Sequence, residues 1–479
     1  MKAPPVDAAI TILGGGTCGI MLARAYDRWR SPSDDQPIVI VDAPVRGTVR
    51  QSDVRRPSRW IHLLGRGHDW QHVTESQPNL AGRKMPWPRG RGLGGSSLIN
   101  AMIWMPPCES DLRLLSESGL NARELGKAVG HIMSSIEGES PRWLSPVAAG
   151  FLDAAGGRED IDASVYRRFN RDGRRWTTAD LLADEAFARR VEVVPALVRR
   201  LLVKDNRVCG WVSRDPASGQ EASHVTESPI VLCAGAVQTP RLLLATDELR
   251  ESNAQIGQNL HDHLLMPVVF GTHRDHSPRA EDTMQSLARW QHAGTGPMTC
   301  NLAECGGFSS DDVFQWHVTP TDYLRYPAAS AHPACTLGVS LTRPRSRGRV
   351  SLRERSLRID AGYLTDASDA TRFIEGVARS RELAAEAPLH PLIRSEIVPG
   401  RRRDNKAAVL ASVRRYAQTL YHPGGTCALG SVVDGNFQFL GCENLFVVDA
   451  SVLPEPTRGN PSTVLLALAM LAGQKLAGS

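Results

Sequence analysis

His422 is the residue of this sequence whose neighbours best suit a proton-transfer role. It is followed by Pro423 and then by Gly424 and Gly425. Because proline fixes the backbone and glycine permits a sharp turn, we expect this imidazole to be held rigidly at the edge of a cleft. Histidine titrates near neutral pH, so a histidine held in this way can take the proton of a hydroxyl group. The residues alone give equal weight to a histidine that only caps a turn.

A glycine motif near the N-terminus predicts a dinucleotide site. Residues 10–13 predict a buried strand and residues 20–26 a helix, with Gly14, Gly16 and Gly19 spaced as G-x-G-x-x-G between them. The first glycine allows the tight turn, the second lets backbone amides approach a pyrophosphate, and the third lets the helix pack closely on the strand. The helix N-terminus adds partial positive charge for the phosphates.

A second predicted strand ends in a carboxylate. Residues 37–41 are apolar and lead to Asp42, which is placed to accept hydrogen bonds from an adenosine ribose. The succession of strand, helix, second strand and terminal acid favours a dinucleotide site over an ordinary βαβ unit with a glycine turn.

Residues 88–100 form a second glycine-rich stretch. It contains Gly90, Gly92, Gly94 and Gly95 and ends in two serines, an apolar pair and an asparagine. Glycines at this density let the backbone bend through positive φ or approach another body closely, and the end of the stretch predicts the start of a helix. We interpret it as a loop shaped around a large, flat, polar ligand. Since a nicotinamide dinucleotide needs no second cradle of this form, the two glycine stretches favour FAD.

Composition and charge narrow the class of protein. The 479 residues suffice for two or three domains, and the 42% apolar and 22% charged fractions are typical of soluble globular proteins. The net charge is +5, but the basic residues are spread along the chain without the dense basic helix that would indicate nucleic-acid binding. Nine cysteines, an odd number without a CxxC pair, argue against a zinc site and a disulfide framework and fit a reducing cytoplasm.

The two ends of the sequence lack targeting and membrane-spanning patterns. Residues 1–7 have no basic region followed by an apolar one, and the apolar run at residues 464–472 is too short to cross a bilayer. We expect a cytoplasmic protein without a transmembrane segment, and a peripheral membrane contact stays open.

Other histidines have weaker claims to chemistry. His261 and His263 flank Asp262, but no third ligand at a useful spacing accompanies them, so a structural role is favoured over a metal site. Residues 60–70, which begin and end with tryptophan, are a candidate lid over the site. The histidines in or just after that stretch are His62, His68 and His72.

Four stretches of the sequence together resemble the glucose–methanol–choline (GMC) oxidoreductases. Residues 87–97 resemble the first signature of that family and residues 231–243 the second, while residues 421–427 and 458–463 resemble its C-terminal region. The resemblance covers nearly the whole chain. One departure is local: where the family continues the second signature with a Ser-Gly-x-Gly turn, this chain has Ala-Thr-Asp-Glu at 245–248.

The resemblance implies an α/β fold of mixed α+β character, made of a Rossmann-like FAD-binding domain and a discontinuous substrate domain. The substrate domain would be built on an antiparallel sheet, flanked by helices, that roofs the flavin. We expect the FAD-binding domain to comprise residues 1–145, 186–262 and 417–479. The remaining segments, residues 146–185 and 263–416, would form the substrate-binding domain.

The resemblance also implies which residues bind FAD. In some members a histidine just before the asparagine of the first signature carries the flavin covalently; here that position is Ile99, which predicts non-covalent FAD. Asn100 would lie near the flavin ring, the backbone of Val198 would meet the adenine, and Asp449 would contact the ribityl and pyrophosphate region. The full set of predicted FAD-binding residues is Gly14, Gly16, Thr17, Cys18, Gly19, Asp42, Arg89, Gly92, Gly94, Gly95, Ser96, Asn100, Ala101, Val198, Ala234, Gly235, Asp449, Ala450, Asn460, Pro461 and Ser462.

The resemblance gives His422 a reaction. In the family this histidine faces flavin N5, and a histidine or asparagine partners it at the position of Asn460. We therefore expect FAD-dependent oxidation of a small-molecule alcohol to an aldehyde or ketone, in which His422 takes the hydroxyl proton and hydride passes to N5. Asn460 would orient the substrate oxygen, and Pro461 with the start of the final helix would lie near the flavin pyrimidine. A helix-capping asparagine is the alternative for Asn460.

Two other functions fit the same fold. One is a non-oxidative or light-driven enzyme, such as a lyase or decarboxylase, in which the histidine–asparagine pair is often changed. The other is a catalytically inactive flavin-binding partner protein, which would tolerate change at His422. This chain keeps the pair, which favours the oxidoreductase. The sequence identifies neither the alcohol nor the electron acceptor, which is oxygen or another acceptor, nor the oligomeric state.

Overall fold

Two large β-sheets, one parallel and one antiparallel, organise the chain in this computed structural model, which describes residues 8–215, 217–278, 282–328 and 332–478. The strands are β1 Ile10–Leu13, β2 Ile38–Asp42, β3 His72–Val73, β4 Pro86–Trp87, β5 Ile103–Trp104, β6 Ile161–Val165, β7 Arg167–Arg168, β8 Asn170–Arg171, β9 Arg174–Arg175, β10 Val191–Pro195, β11 Leu197–Lys204, β12 Arg207–Arg214, β13 Glu221–Val225, β14 Ile230–Leu232, β15 Leu264–Thr272, β16 Cys305–Ser309, β17 Phe314–Thr319, β18 Ala334–Leu341, β19 Arg349–Arg353, β20 Ser356–Asp360, β21 Ile393–Val398, β22 Gln418–Thr419 and β23 Leu445–Val447. The α-helices are α1 Thr17–Trp29, α2 Gln51–Arg55, α3 Glu109–Glu117, α4 Ala122–Ser135, α5 Pro146–Gly156, α6 Glu185–Ala188, α7 Gly235–Leu244, α8 Asp247–Ser252, α9 Met284–Ala293, α10 Ala367–Ala385, α11 Lys406–Tyr416 and α12 Ser462–Ala477.

The parallel sheet has five strands in the order β10-β2-β1-β14-β23. Its central strands are short apolar runs, and the residues of β1 and β14 are buried throughout, as expected for a sheet covered on both faces. Helix α1 packs against α12 beside this sheet. The strand at residues 10–13, the helix that follows it and the strand ending at Asp42 are therefore confirmed.

The antiparallel sheet has seven strands, in the order β21-β15-β18-β17-β16-β6 with β22 pairing to β15. Strands β15, β17 and β18 are buried along their whole length. Helix α10 packs against β18, and α5 packs against β6 and β17, so helices flank this sheet. The predicted α/β architecture with a second, antiparallel sheet is thus confirmed.

The strands of the two sheets come from interleaved parts of the sequence. All five parallel strands fall within the segments assigned above to the FAD-binding domain, and β6 joins the antiparallel sheet from residues 146–185. Strand β22 pairs with the antiparallel sheet although it falls in the segment 417–479. The domain boundaries themselves stay a prediction.

The helix expected at the end of the second glycine stretch does not form. Residues Gly95–Leu98 make a 3-10 turn. The chain then leaves helical geometry at Ile99, whose φ is −127° and ψ 0°, and Met102 takes a positive φ of 57°. A loop that must turn twice within a few residues cannot continue as an α-helix.

Within the described residues, no helix is both long enough and apolar enough to cross a membrane.

Candidate active site

A cleft opens between the end of the parallel sheet and one face of the antiparallel sheet. Nearly all residues predicted above to bind cofactor or act in catalysis line it. They are Gly14, Gly16, Thr17, Cys18, Asp42, Arg89, Gly92, Gly95, Ser96, Asn100, Ala101, Val198, Ala234, Gly235, His422, Asp449, Ala450, Asn460, Pro461 and Ser462. Two predicted residues, Gly19 and Gly94, are not part of its lining.

Gly19 and Gly94 contribute to the architecture behind the cleft. A Cβ on Gly19 would lie 2.0 Å from the Gly14 carbonyl oxygen, so its absence allows α1 to pack on the preceding turn. The Gly94 amide donates to the carbonyl of Gly15 at 2.8 Å. These two glycines hold neighbouring segments together rather than facing the cleft.

The two glycine stretches contact each other directly. Besides the bond from Gly94, the Thr17 hydroxyl lies 3.5 Å from the Gly94 carbonyl oxygen. A Cβ on Gly95, whose φ is +51°, would lie only 2.7 Å from the Gly16 Cα. The stretches therefore form one continuous backbone surface, which we call the glycine cradle (residues 14–19 and 90–96), and side chains larger than hydrogen would separate its halves.

Two carboxylates brace the turns that follow the parallel strands. Asp42 at the end of β2 accepts from the Gly15 amide at 3.0 Å, and burial raises its pKa to about 6. Asp449 accepts from the Gly235 amide at 2.8 Å and from the Thr239 hydroxyl at 2.6 Å, and burial raises its pKa as well. Both therefore fix backbone that lines the cleft.

The cleft residues fit an FAD molecule. Gly16 is the N-cap of helix α1 and Pro461 that of α12, and neither N-terminus is capped by a side chain, so both present free amides to anionic groups. A Cβ on Gly16 would have no protein atom nearer than 3.7 Å, and one on Gly235 none within 4 Å. Because both glycines line the cleft, their missing side chains leave room for a ligand rather than for protein packing.

Other predicted cofactor residues are tied to the protein while they line the cleft. The Arg89 guanidinium donates to the Tyr421 carbonyl at 2.7 Å and so joins the glycine cradle to the turn that carries His422. The Asn100 side-chain oxygen accepts from the buried Arg175 at 2.8 Å. The Val198 carbonyl, expected to meet the adenine, accepts from Arg241 at 2.7 Å.

His422 is held by its backbone as well as by its ring. Its amide donates to Asp262 Oδ1 at 2.7 Å. The other oxygen of Asp262 accepts from the hydroxyls of Thr419, at 2.6 Å, and Tyr363. This buried carboxylate, with partners on two other segments of the chain, sets the position of the turn. The rigidity predicted from Pro423 thus has a second source.

The His422 ring lies between two side chains. Its Nε2 is 3.1 Å from Asn460 Nδ2, and its Nδ1 is 3.0 Å from His263 Nδ1. Burial lowers the pKa of His422 well below its usual value, and the nearby His263, His317 and Arg89 lower it further. The imidazole is therefore neutral at physiological pH and carries a lone pair. Neither contact caps a turn.

Asn460 does not cap the final helix. The N-cap residue of α12 is Pro461, and the Asn460 amide nitrogen points at His422 instead. Its side-chain oxygen is buried and has no hydrogen-bond partner among the described residues. The amide is thus free to bind a ligand on one side while it contacts the imidazole on the other.

Three residues beside His422 were not identified from the sequence. His263 and Asp262 were interpreted as structural, and His317 was not singled out. His317 lies on β17 and lines the cleft, and its cross-strand neighbours Gly306 and Gly338 offer it no side chain. Burial lowers its pKa to about 3, and neither ring nitrogen has a hydrogen-bond partner in the described parts of the chain.

The remaining predictions concern the tryptophan-bounded stretch of residues 60–70 and a metal site. From the tryptophan-bounded stretch, Trp60, Leu64 and Trp70 line the cleft, and the Trp60 indole donates to the Asn301 carbonyl at 2.9 Å. Its role as a lid stays a prediction. Across the described ranges no group of three or more His, Cys, Asp or Glu side chains could hold a metal ion.

Comparison with known proteins identifies the family. Two models of GMC oxidoreductase match the chain, over residues 150–265 and 344–469. The oxygen-dependent choline dehydrogenase of Paraburkholderia phymatum is 28% identical, over 98% of this chain and 92% of that protein. An alcohol dehydrogenase (acceptor) of Pseudomonas putida is 27% identical, over 97% of this chain and 94% of that protein.

Solved structures agree in fold. Pyridoxine 4-oxidase from Mesorbium loti has a TM-score of 0.82 at 25% identity, with 98% of this chain and 99% of that chain covered. A formate oxidase from Aspergillus oryzae has a TM-score of 0.85 at 20% identity, with 99% of both chains covered. The chain therefore belongs to the GMC family of FAD-dependent alcohol oxidoreductases.

Proposed function

We propose that the cleft holds FAD non-covalently and oxidises an alcohol, with His422 as the base that takes the hydroxyl proton. One observation carries this proposal: a neutral, half-buried imidazole whose Nε2 has the Asn460 amide nitrogen as its single hydrogen-bonding neighbour among the described residues. A neutral imidazole nitrogen is a proton acceptor, and a hydroxyl placed beside it is polarised for proton loss. The glycine cradle, Asp42 and the N-termini of α1 and α12 would hold the cofactor.

The chain's own residues account for orientation and proton removal. FAD supplies the hydride acceptor when it is bound. Asn460 orients the substrate oxygen through its amide and has no proton-accepting role, because an amide is not basic. Asp262 and Arg89 keep the His422 turn fixed against the cradle. Because the cleft is largely buried, the interaction between His422 and a bound hydroxyl would be stronger than in water.

Ile99 supports non-covalent binding of the flavin. Its side chain is buried and packs with Val54, Leu63 and Leu98, so the position that carries a histidine in some family members holds an aliphatic group with no nucleophile. We expect acid precipitation of the protein to release FAD into the supernatant. A flavin that stays with the protein pellet would contradict this part of the proposal.

The wall of the cleft that comes from the antiparallel sheet favours an uncharged alcohol. It is formed by Leu265, Thr319, Thr336, Gly338 and the neutral His317. Among the described residues that line the cleft, the only carboxylates are Asp42 and Asp449, which brace the turns after the parallel strands, while the buried Arg89 adds positive charge. A cationic alcohol would thus find no carboxylate on the cleft wall beside His422, because Asp262, which binds the His422 amide, does not line the cleft.

A matched pair of alcohols tests the charge preference. Choline and 3,3-dimethylbutan-1-ol have nearly the same shape, but the second replaces the cationic nitrogen with carbon. We expect kcat/KM to be at least about tenfold higher for the neutral alcohol, which corresponds to about 1.4 kcal/mol of transition-state stabilisation. A higher value for choline would show that aromatic side chains of the cleft bind the cation and would overturn the preference.

Anaerobic reduction tests the activity itself. The purified protein should be yellow and should lose its visible flavin absorbance when mixed without air with an alcohol that it oxidises. A panel of alcohols should be assayed in parallel with oxygen and with an artificial dye, because the electron acceptor is a separate question. Protein that stays colourless after reconstitution with FAD, or flavin that no alcohol in the panel bleaches, would contradict the proposed function.

A further inference from the structure

We propose that His263 is a positioning residue that determines which nitrogen of His422 carries the proton. The proposal rests on the proposed function, since the tautomer matters only if His422 acts as a base. His263 lies immediately before β15, and its ring is buried between Thr342 and His422. It touches no residue of the glycine cradle in the hydrogen bonds of the described chain, so its influence on the reaction passes through His422.

A backbone carbonyl determines which ring nitrogen of His263 carries the proton. The Thr342 carbonyl oxygen lies 3.0 Å from His263 Nε2. A carbonyl can only accept a hydrogen bond, so His263 Nε2 must carry a proton. Burial lowers the pKa of His263, so its ring is neutral and holds a single ring proton. Its Nδ1 therefore presents a lone pair.

The lone pair on His263 Nδ1 in turn determines which nitrogen of His422 carries the proton. The two Nδ1 atoms are 3.0 Å apart, and the rings are nearly perpendicular at 87°. Because His263 Nδ1 is an acceptor, the bond exists only if His422 Nδ1 carries the proton. The neutral His422 then has its lone pair on Nε2, the nitrogen that faces Asn460. The opposite tautomer would bring two lone pairs together.

Asn460 cannot make this choice by itself. An amide side chain can present either its nitrogen or its oxygen to His422 after a rotation about its last bond. Its oxygen is buried without a partner in the described structure, so it could accept a hydrogen bond from a protonated Nε2 as readily as its nitrogen donates one to a lone pair. Of these groups, only the Thr342 carbonyl is always a hydrogen-bond acceptor. It fixes the proton of His263 on Nε2, and His263 thereby fixes the proton of His422 on Nδ1.

The consequence for catalysis is direct. A His422 with its proton on Nε2 would present a donor to the substrate hydroxyl and could not accept its proton. Loss of the acceptor at His263 Nδ1 would let His422 populate this unreactive tautomer. Replacement by asparagine should preserve part of the effect, because its side-chain oxygen can stand where Nδ1 stands and accept from His422, although its amide can also turn its nitrogen there. Leucine offers no acceptor.

The test compares His263→Leu with His263→Asn in the FAD-loaded enzyme. We expect the rate of anaerobic flavin reduction to fall about 10²-fold in His263→Leu, with KM little changed, and to recover part of that loss in His263→Asn. His224→Leu is the control, because His224 is also buried and hydrogen-bonded, to the Ser213 hydroxyl at 2.8 Å, but lies in the sheet of β11, β12 and β13. That control should reduce its flavin at the wild-type rate.

A spectroscopic measurement reads the tautomer without activity. In protein labelled with nitrogen-15 histidine, the His422 signals, assigned by their loss in His422→Ala, should show a protonated Nδ1 and a bare Nε2. His263→Asn should keep a larger fraction of that tautomer than His263→Leu. A protonated Nε2 in the wild-type enzyme would overturn the proposal even if neither His263 variant folds.

Different results would contradict the role of His422 as base and the role of His263 as positioning residue. If His422→Ala reduces its flavin at the wild-type rate, the proposed role of His422 as base is wrong, whatever the tautomer. If His422→Ala is slow while His263→Leu and His263→Asn are equally active or equally impaired, the base stands and the role of His263 is wrong.

Discussion

The glycine cradle and the histidine cluster of His263, His317 and His422 meet in one cleft but are built in opposite ways. The cradle consists of two stretches whose contacts are made by backbone, such as the Gly94 amide on the Gly15 carbonyl. The cluster consists of side chains from three distant segments. Added atoms should therefore damage the cradle and removed atoms should damage the cluster.

The largest expected effect is an added methyl group in the cradle. In Gly95→Ala the new Cβ would lie 2.7 Å from the Gly16 Cα, at a φ of +51° that alanine rarely adopts. Strain of this kind costs about 1–3 kcal/mol for each of the two causes, so we expect FAD affinity to fall about 10²-fold or more. The measurement is FAD content after purification, followed by titration of the apoprotein with FAD.

A glycine outside the cradle provides the matched control. Gly126 lies on the exposed side of α4, and a Cβ there would have no atom within 4 Å. Gly126→Ala should keep full FAD content and gain about 0.5–1 kcal/mol in free energy of unfolding, because alanine favours the helix. If both variants retain FAD equally, close backbone contact is not what the cradle requires.

The second effect is the removal of atoms from the cluster. His422→Ala should keep the yellow colour and the FAD affinity of the wild type, because the ring makes no contact with the cradle among the described hydrogen bonds. Flavin reduction by an alcohol should slow by about 10² or more, since general base catalysis contributes that much. Stopped-flow absorbance measures it, and a normal rate would remove His422 from this role.

The same contrast explains what could be predicted from the sequence. The cradle was predictable because its glycines are clustered in two short stretches and the first turn follows a recognisable strand. Asp42 was predictable for the same local reason. His317 was not, because period-two alternation along β17 does not say which face of the strand meets the cleft. That face is decided by pairing with β16 and β18, whose glycines leave the imidazole open.

His263 and Asp262 show a second limit. The residue types were visible, but their partners lie far away in sequence. Asp262 binds the amide of His422, and His263 contacts its ring. Asp262 and His263 meet His422 because β15, which follows His263, pairs with β22, which precedes His422. The two strands are more than a hundred residues apart in the sequence. Local patterns contain no information about it.

The smallest expected effect distinguishes positioning from proton transfer. Asn460→Ala removes the amide 3.1 Å from His422 Nε2 but leaves the base in place. Loss of one such hydrogen bond costs about 1–1.5 kcal/mol, so we expect kcat/KM to fall about tenfold while FAD stays bound. Steady-state kinetics with the best alcohol of the panel measures this.

Asn460→Asp sharpens that result, because aspartate matches asparagine in size and as a helix cap but cannot donate when ionised. If the amide N–H is what matters, the aspartate variant should be no more active than the alanine variant. Recovery of wild-type kcat/KM in Asn460→Asp would instead show that the residue serves α12, and the histidine cluster would then act on the substrate without an amide partner. The glycine cradle would be unaffected in either case, since neither substitution touches its backbone.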